Sequence, residues 1–415
     1  MIPHFYGIDI HQKYVVVAAV DAEQQVLLEA TRIEMPQLEA WAARTLTAAD
    51  QVVLEAGTNS WYVVDRLTPY AGKVVVANPY KTKLIAEAYI KNDKVDATTL
   101  ARLLAARFIC DVWVPQAHVR EQRTLAAHRA SLQKRSTQVK NGLHNMLHRR
   151  SLRCPEGSLF SSAGRQWLLA LSLPDADRLR IRHLLRQLEV LEQEIDETDR
   201  LIARRAAQDP RVPRLLQICG IGYYTAYAIL AFIGDIQRFP SADKLASYAG
   251  LVPRQHQSGN HAFFGHITKA GNPLLRWLMV EAARAAVRWD PHWRLVHDRI
   301  ARRRGSNIAT VAVARKLLVT IWHLLTNQSV YYYLRPQTFV TKLQEWAFRI
   351  GRDHLPAANS KEFVRTHLEA LGMQPLADSL SYKLYFPLTR CGKRTPRSGL
   401  KTPEAVRAAS DLTKT

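Results

Sequence analysis

The sequence predicts an α/β domain followed by a basic, mainly helical body. Three observations carry that reading. Short apolar runs separated by turn residues fill the first 115 positions. Gly and Pro become sparse and helix formers dominate from residue 116 to 206. The charge is also unevenly divided. Residues 1–115 hold 11 Lys+Arg and 13 Asp+Glu, net −2; since the whole chain is +22, the other 300 residues carry +24.

The first domain is justified element by element. FYGIDIHQKYVVVAAV (5–20) reads as two strands around a turn at His11–Lys13, and VLLEATRIEM (26–35) has strand character. PQLEAWAARTLTA (36–48) is helical, with Pro36 at its start. QVVLEAG (51–57) is a nearly continuous apolar run, as expected of a buried strand. NSWYVVDRLTPYA (59–71) is a helix, KVVVANP (73–79) another buried strand and DATTLARLLAARF (96–108) a further helix. The order β-β-β-α-β-α-β-α is that of an RNase H-like α/β domain spanning residues 1–115.

The middle region, 116–206, is helical. Residues 118–154 contain nine Lys+Arg, four His and one acid, Glu121, which predicts a long basic helix. A looser stretch follows around 154–166. Then Ile181, Leu184, Leu188, Leu191, Ile195, Thr198 and Ile202 keep a 3-4 spacing. That pattern suits a coiled-coil seam, in a dimer or an intramolecular hairpin, or an amphipathic helix packed on its own domain. Residues 207–333 read as a second helical unit with loops at 253–273. Residues 334–415 form an extension with no assigned role, polar, basic and disordered from about 390.

Composition narrows the function classes. The hydrophobic fraction is 47% and the charged fraction 23%, ordinary for a globular protein. No apolar run is expected to approach the roughly 18 residues of a membrane helix, and the N-terminus lacks a signal-peptide shape. A cytoplasmic protein without a membrane partner is expected. Cys110, Cys154, Cys219 and Cys391 are scattered, which predicts reduced structural thiols rather than zinc or disulfides. The basic body predicts a polyanionic partner, nucleic acid before a membrane surface.

Four acids stand out. Asp9 lies among apolar strand residues and Glu55 ends the run VVLEAG. An RNase H-like domain sets those two strands side by side. Carboxylates there are costly unless paired or bound to a cation. Asp93 and Asp96 open the following helix in KNDKVDATTLARLL. Four converging carboxylates would hold one or two Mg²⁺ ions for phosphodiester chemistry. Each acid also has a plain alternative. Asp9 could end a strand at a turn, Glu55 could sit on an edge strand, and Asp93 could cap a helix.

The distal unit offers two further candidates. Gly220 and Gly222 in ICGIGYY allow a tight, helix-hairpin-helix-like turn whose N–H groups could hold a phosphate. A plain helix–helix turn fits equally. Ser258 precedes Gly259, with Arg254, Lys269 and Arg276 near it. Beside cations a loop serine can attack phosphate, although such serines are usually turn residues.

YGIDIHQKY, VVLEAG, NDKVDATTLARLL, ICGIGYYTAYAILAFIGDIQRF and GLVPRQHQSGN…ITKAGNPLLRWL together resemble the DEDD transposases of the insertion-sequence 110 and 1111 family, which are related to pilin-gene invertases. The resemblance runs from about residue 4 to about 325. It implies a RuvC-like catalytic domain with Asp9, Glu55, Asp93 and Asp96 as its Mg²⁺ ligands. It also implies a mainly α transposase domain with Ser258 as nucleophile. The implied activity is recombination: excision and site-specific insertion of a mobile element, through a covalent phosphoserine. The implied partners are donor and target DNA, a structured bridge RNA, and other copies of the chain, as a dimer or as a tetramer in the synapse. Arg123, Arg129, Lys134, Arg135 and Lys140 on the basic helix, with Arg254, Lys269 and Arg276, are the expected nucleic-acid contacts. A metal-dependent nuclease of the Holliday-junction-resolvase type would need the acids but no serine. A non-catalytic binding protein would need neither.

Overall fold

Apolar alternation in the first hundred residues becomes one twisted sheet. The structure is a computed structural model that describes residues 3–85, 93–155, 157–258 and 261–378. Residues 84, 85, 93, 94, 256–258 and 261–264 are described by their backbone alone. The chain divides into two compact units, residues 1–116 and 117–415.

The first unit contains β1 (Phe5–Ile10), β2 (Tyr14–Val20), β3 (Val26–Glu34), α1 (Leu38–Thr45), β4 (Gln51–Glu55) and α2 (Ser60–Leu67). It continues with β5 (Lys73–Ala77), α3 (Pro79–Ile85), α4 (Asp93–Ala105) and β6 (Asp111–Val112). The sheet order is β3-β2-β1-β4-β5-β6. The first three strands form an antiparallel meander; β4 and β5 run parallel to β1. This is the RNase H-like arrangement. Helix α3 and the two-residue β6 were not expected, because neither is long enough to show a period.

Strand β2 is buried on both faces because each face meets a helical layer. Val15, Val17 and Ala19 join Tyr6, Ile8, Val52 and Leu54 in a core shared with α1 and α2. The opposite face packs on α4: Val16 and Ala18 against Ala97, and Val53 and Val75 against Leu100 and Leu104. Gly7 lets α4 approach. A Cβ there would stand 2.0 Å from the carbonyl oxygen of Ala97.

The second unit begins with α5 (Ala117–Arg149), α6 (Ser162–Ala170) and α7 (Asp175–Ala206). Helices α5 and α7 form an antiparallel hairpin, each roughly 50 Å long at 1.5 Å per residue. Its rungs are Glu121–Arg205, Arg129–Asp199 and Arg150–Asp177. The 3-4 seam of α7 is buried or half-buried within this chain. Of the alternatives open from the spacing, the intramolecular hairpin is the one formed. Helix α6 also begins inside the stretch expected to be irregular, its N-cap Ser161 accepting from the Gly164 N–H.

Then come α8 (Val212–Leu216), α9 (Tyr223–Ile233), α10 (Ala242–Tyr248), β7 (Pro253–Ser258), β8 (His261–Ile267), α11 (Pro273–Trp289) and α12 (Pro291–Arg304). The chain closes with α13 (Ser306–Thr326), α14 (Pro336–Ile350), α15 (Ser360–Ala370) and α16 (Gln374–Asp378). One continuous core runs from Ala126 to Ala377. The segment after residue 334 is part of it. Trp346 Nε1 donates to the Ala203 carbonyl at 3.0 Å, and buried Lys342 donates to the carbonyls of Leu216 and Ile218. The tail expected to be disordered lies outside the described residues, as does Cys391.

Helix α13 is long and apolar enough to cross a membrane by length and composition, with mean hydropathy 1.6 over its window. Arg315 and Lys316 interrupt its apolar run, so no unbroken stretch marks it in the sequence. Its apolar character serves the core: Val313, Ala314, Leu317, Leu318 and Ile321 are fully buried.

Candidate active site and nucleic-acid interface

Asp9 and Glu55 stand near the ends of neighbouring parallel strands. Gly7 pairs with Val53 and Ile8 with Leu54, so Asp9 and Glu55 follow one step further on. Side chains alternate across a strand. Asp9 therefore shares the face of Gly7, and Glu55 the face of Val53. Both faces are those that α4 covers. Asp9 pairs across β2 with Val16, which packs on Ala97, the residue after Asp96. The same edge of the sheet thus gathers Asp9, Glu55 and the first turn of α4. Asp93 is the first residue of α4, and its side chain lies outside the described residues.

The donors are all carboxylates, which suits a hard divalent cation. Among the described residues, no group of three or more His, Cys, Asp or Glu side chains is close enough to hold a metal ion. The described atoms supply donors of the right chemistry without a closed coordination shell.

Three supporting residues escaped the sequence reading. His11 Nε2 lies 3.1 Å from Asp9 Oδ2, and the His11 ring stacks on Tyr14. Asn59 Nδ2 donates to the His11 carbonyl at 3.0 Å, tying the β1–β2 turn to the loop after β4. Ser60, fully buried, donates to the Glu55 carbonyl at 2.9 Å. The available signal was only that all three follow an acid within five residues.

Ser258 lies in a different setting from the loop expected. Strands β7 and β8 pair antiparallel as a two-stranded sheet, and Ser258 is the last residue of β7, paired with His261. Its side chain and residues 259 and 260 lie outside the described residues.

The G-I-G turn divides its two glycines. Gly220 has φ 89°, and a Cβ there would stand 2.4 Å from the Ala282 carbonyl oxygen. Close packing on α11 accounts for it. Gly222 is exposed at the N-cap of α9, with open space around it.

The basic residues also divide. Arg123 donates to the carbonyls of Ala231 and Phe232 at 2.8 and 3.0 Å, closing the last turn of α9. Arg129 grips Asp199 through two bonds of 2.9 and 3.1 Å, and its guanidinium lies 4.5 Å from the Tyr224 ring centroid. Arg276 bonds the carbonyls of Ala249 and Lys269, both at 3.2 Å. These three were expected to face nucleic acid; the structure turns their guanidinium groups onto the protein itself. The planar five-donor fork of Arg explains that use. Lys134, Arg135, Arg254 and Lys269 are exposed. Lys140 is half-buried, 3.8 Å from Glu192 and 5.3 Å from the Phe160 ring. The three cysteines among the described residues are unpaired thiols; burial raises the pKa of Cys219.

Two family models match the chain, the first running past the unit boundary at residue 116. A DEDD family model of the IS110 type, described as "Transposase", matches residues 6–150. A second, "Transposase IS116/IS110/IS902 family", matches residues 212–298. A "Probable family 20 transposase" of Pseudomonas aeruginosa is 30% identical over 301 residues, 68% of this chain and 85% of the relative. The "Transposase for insertion sequence element IS1111A" of Coxiella burnetii is 30% identical over 302 residues, 68% of this chain and 79% of the relative. The chain belongs to the IS110/IS1111 family of transposases, enzymes that cut and rejoin DNA in transposition.

Proposed function

We propose that this transposase excises and site-specifically inserts a mobile element through a serine nucleophile, Ser258, assisted by a metal-binding set of Asp9, Glu55, Asp93 and Asp96. The observation that carries the reading is the parallel β1–β4 pair, which brings the ends bearing Asp9 and Glu55 to the edge where α4 begins. DEDD domains of this kind generally use divalent metal ions; Mg²⁺, one or two ions, is the proposed identity. A bound divalent cation would stabilise negative charge at the phosphorus and on the leaving oxygen. His11 would orient Asp9, and Asn59 and Ser60 would hold the two strand ends in register.

In the proposed step, Ser258 Oγ forms a bond to a backbone phosphorus and loses its proton. The bond from that phosphorus to one deoxyribose oxygen breaks, and that oxygen takes up a proton. Rejoining reverses the exchange with a different strand end. A structured guide RNA would choose donor and target DNA by base pairing, as in guided systems generally. The exposed residues Lys134, Arg135, Arg254 and Lys269 would meet backbone phosphates. The active assembly is proposed to be a dimer that becomes a tetramer in the synapse. Gly222, open at the start of α9, remains the proposed phosphate contact of the glycine turn.

The test is an adduct assay. Protein with its co-purified RNA is incubated with Mg²⁺ and candidate donor and target DNA, then denatured. A covalent protein–DNA species absent in Ser258→Ala is expected. Cleavage without an adduct, still dependent on Asp9 and Glu55, would instead identify a resolvase-type metal nuclease.

A further inference from the structure

An aromatic and arginine-rich surface stands on the second unit, away in sequence from Ser258 and outside the roles assigned above. It forms where α11 meets α12 and where the segment QSVYYYLR (328–335) returns beside them. Tyr331 is the buried anchor. Its N–H donates to Gln217 Oε1 at 2.7 Å, and its hydroxyl accepts from Trp293 Nε1 at 2.8 Å. Arg335 donates to the Trp289 carbonyl and pins the other end.

The two tyrosines between those anchors are displayed. Tyr332 and Tyr333 are 55% and 43% exposed, and Trp289 is 54% exposed. They are also ordered by one another. His292 stacks on Tyr333, with ring centroids 3.7 Å apart and 17° between planes. Tyr332 stands edge-on to Tyr333 at 4.8 Å. The Arg288 guanidinium lies 4.9 Å from the Trp289 ring centroid.

In these two segments the exposed charge has one sign. Arg288, Arg294 and Arg335 are exposed; Arg294 gives part of its fork to the carbonyls of Val287 and Arg288, and Arg335 gives one donor to that of Trp289, which leaves further N–H groups on each. The one acid in 288–294, Asp290, is buried and caps α12 through the His292 N–H. No acid occurs in 328–335. Rings already held in place lose little entropy on binding. Aromatic faces beside arginines form a platform on which bases stack while phosphates meet cations.

We propose that this surface binds unpaired nucleotides, with bases stacked on Trp289 and Tyr332 and the adjacent phosphates held by Arg288, Arg294 and Arg335. A symmetric contact between two copies would set the same arginines against each other, which disfavours self-association here. The proposal needs only that the chain acts on DNA, so it stands or falls separately from the serine mechanism.

The experiment measures affinity at one fixed salt concentration for three labelled probes of about 20 nucleotides, longer than a typical single-strand site. They are oligo-dT, oligo-U and a blunt DNA duplex. The paired substitution Trp289→Ala with Tyr332→Ala is compared with Trp289→Phe with Tyr332→Phe. The alanine pair is expected to weaken single-strand binding about tenfold or more, leave duplex affinity within about twofold, and be matched by no loss in the phenylalanine pair. A larger effect on oligo-U assigns the ligand to RNA, and one on oligo-dT to displaced DNA; either supports the stacking chemistry. Equal loss on all three probes, or no loss, overturns it. A change confined to the mass measured by light scattering would show a protein–protein interface instead.

Discussion

Asp9 and Glu55 carry charge where two strands run out of core; Arg123 and Arg129 carry charge where helices come together. The difference decides what each charge can do. Beyond Ile8 and Leu54 the fully buried core of the first unit gives way to partly buried Ile10 and Ala56, and Asp9 and Glu55 stand at that margin. Inside the α5–α7 hairpin there is no edge, so an arginine must find carbonyls or a carboxylate within the fold. Arg129 and Asp199 are 17% and 8% exposed and bond each other twice. A charge at the end of an element lies where a ligand can reach it, whereas one in the middle of a packed helix face is enclosed by the fold.

The sharpest way to break that contrast is to remove charge without shape at the strand end. Asp9→Asn is expected to lower DNA cleavage by about 10³-fold, the upper end of what one group in a preorganised site supplies. The urea midpoint should stay close to that of the parent protein. Gel-resolved strand cleavage and urea unfolding on the same preparation measure both. Cleavage within about tenfold of the parent would mean that the edge carboxylate is only a surface charge.

Arg129→Ala should do the reverse. It leaves Asp199 buried without its cation, a loss that costs about 3 kcal/mol or more. The urea midpoint should fall with an unchanged slope. Replacing both partners with apolar residues, Arg129→Met with Asp199→Leu, should recover most of the loss. A midpoint that does not move in the single variant would return Arg129 to the list of free cations.

Much of this contrast was legible in the chain, but unequally. Strand alternation in FYGIDI, YVVVAAV and QVVLE is direct, because period 2 records which side meets a core. The β1–β4 pairing followed from element order. The β7–β8 pairing was missed because PRQHQS shows no apolar alternation and reads as polar loop. The inward arginines were missed for a different reason. Counting seven Lys+Arg on one helix gives its charge, but the positions that face α7 and α9 depend on packing partners some 70 to 110 residues away. The coiled-coil spacing was visible, while the identity of its partner, α5 of the same chain, was not.

His367 adds a third case, a titratable group buried with neither an edge nor a counter-charge. Its ring stacks on Trp346 at 5.3 Å and meets the edge of Phe363 at 4.4 Å, and burial lowers its pKa from 6.5 to about 4. The unfolded chain therefore binds a proton that the folded protein refuses between those values. The stability contribution of the neutral ring is complete above 6.5 and is lost as pH falls toward 4. Relative to a variant that cannot titrate there, about 2 kcal/mol should be lost by pH 5. Urea unfolding of the parent and His367→Leu at pH 7.5 and pH 5 tests the sign. Parallel pH dependence in the two proteins would show that the ring is hydrated.

The smallest effect on the fold is expected from the outward side of α5, and it completes the comparison within one helix. Lys134 and Arg135 follow Arg129 by little more than one turn, yet both are exposed. Alanine at either should change stability by no more than about 0.5 kcal/mol. It should instead lower nucleic-acid affinity for all sequences alike and reduce the salt slope by about one per residue, as lost phosphate contacts do. Titrations at several salt concentrations, set beside urea curves, separate the two quantities. If Lys134→Ala and Arg135→Ala leave the slope unchanged while Arg129→Ala reduces it with the fold intact, the division of α5 into packed and displayed charge is wrong. The charge of the helix would then act on the ligand as a whole, through its summed field, rather than through the residues its packing leaves free.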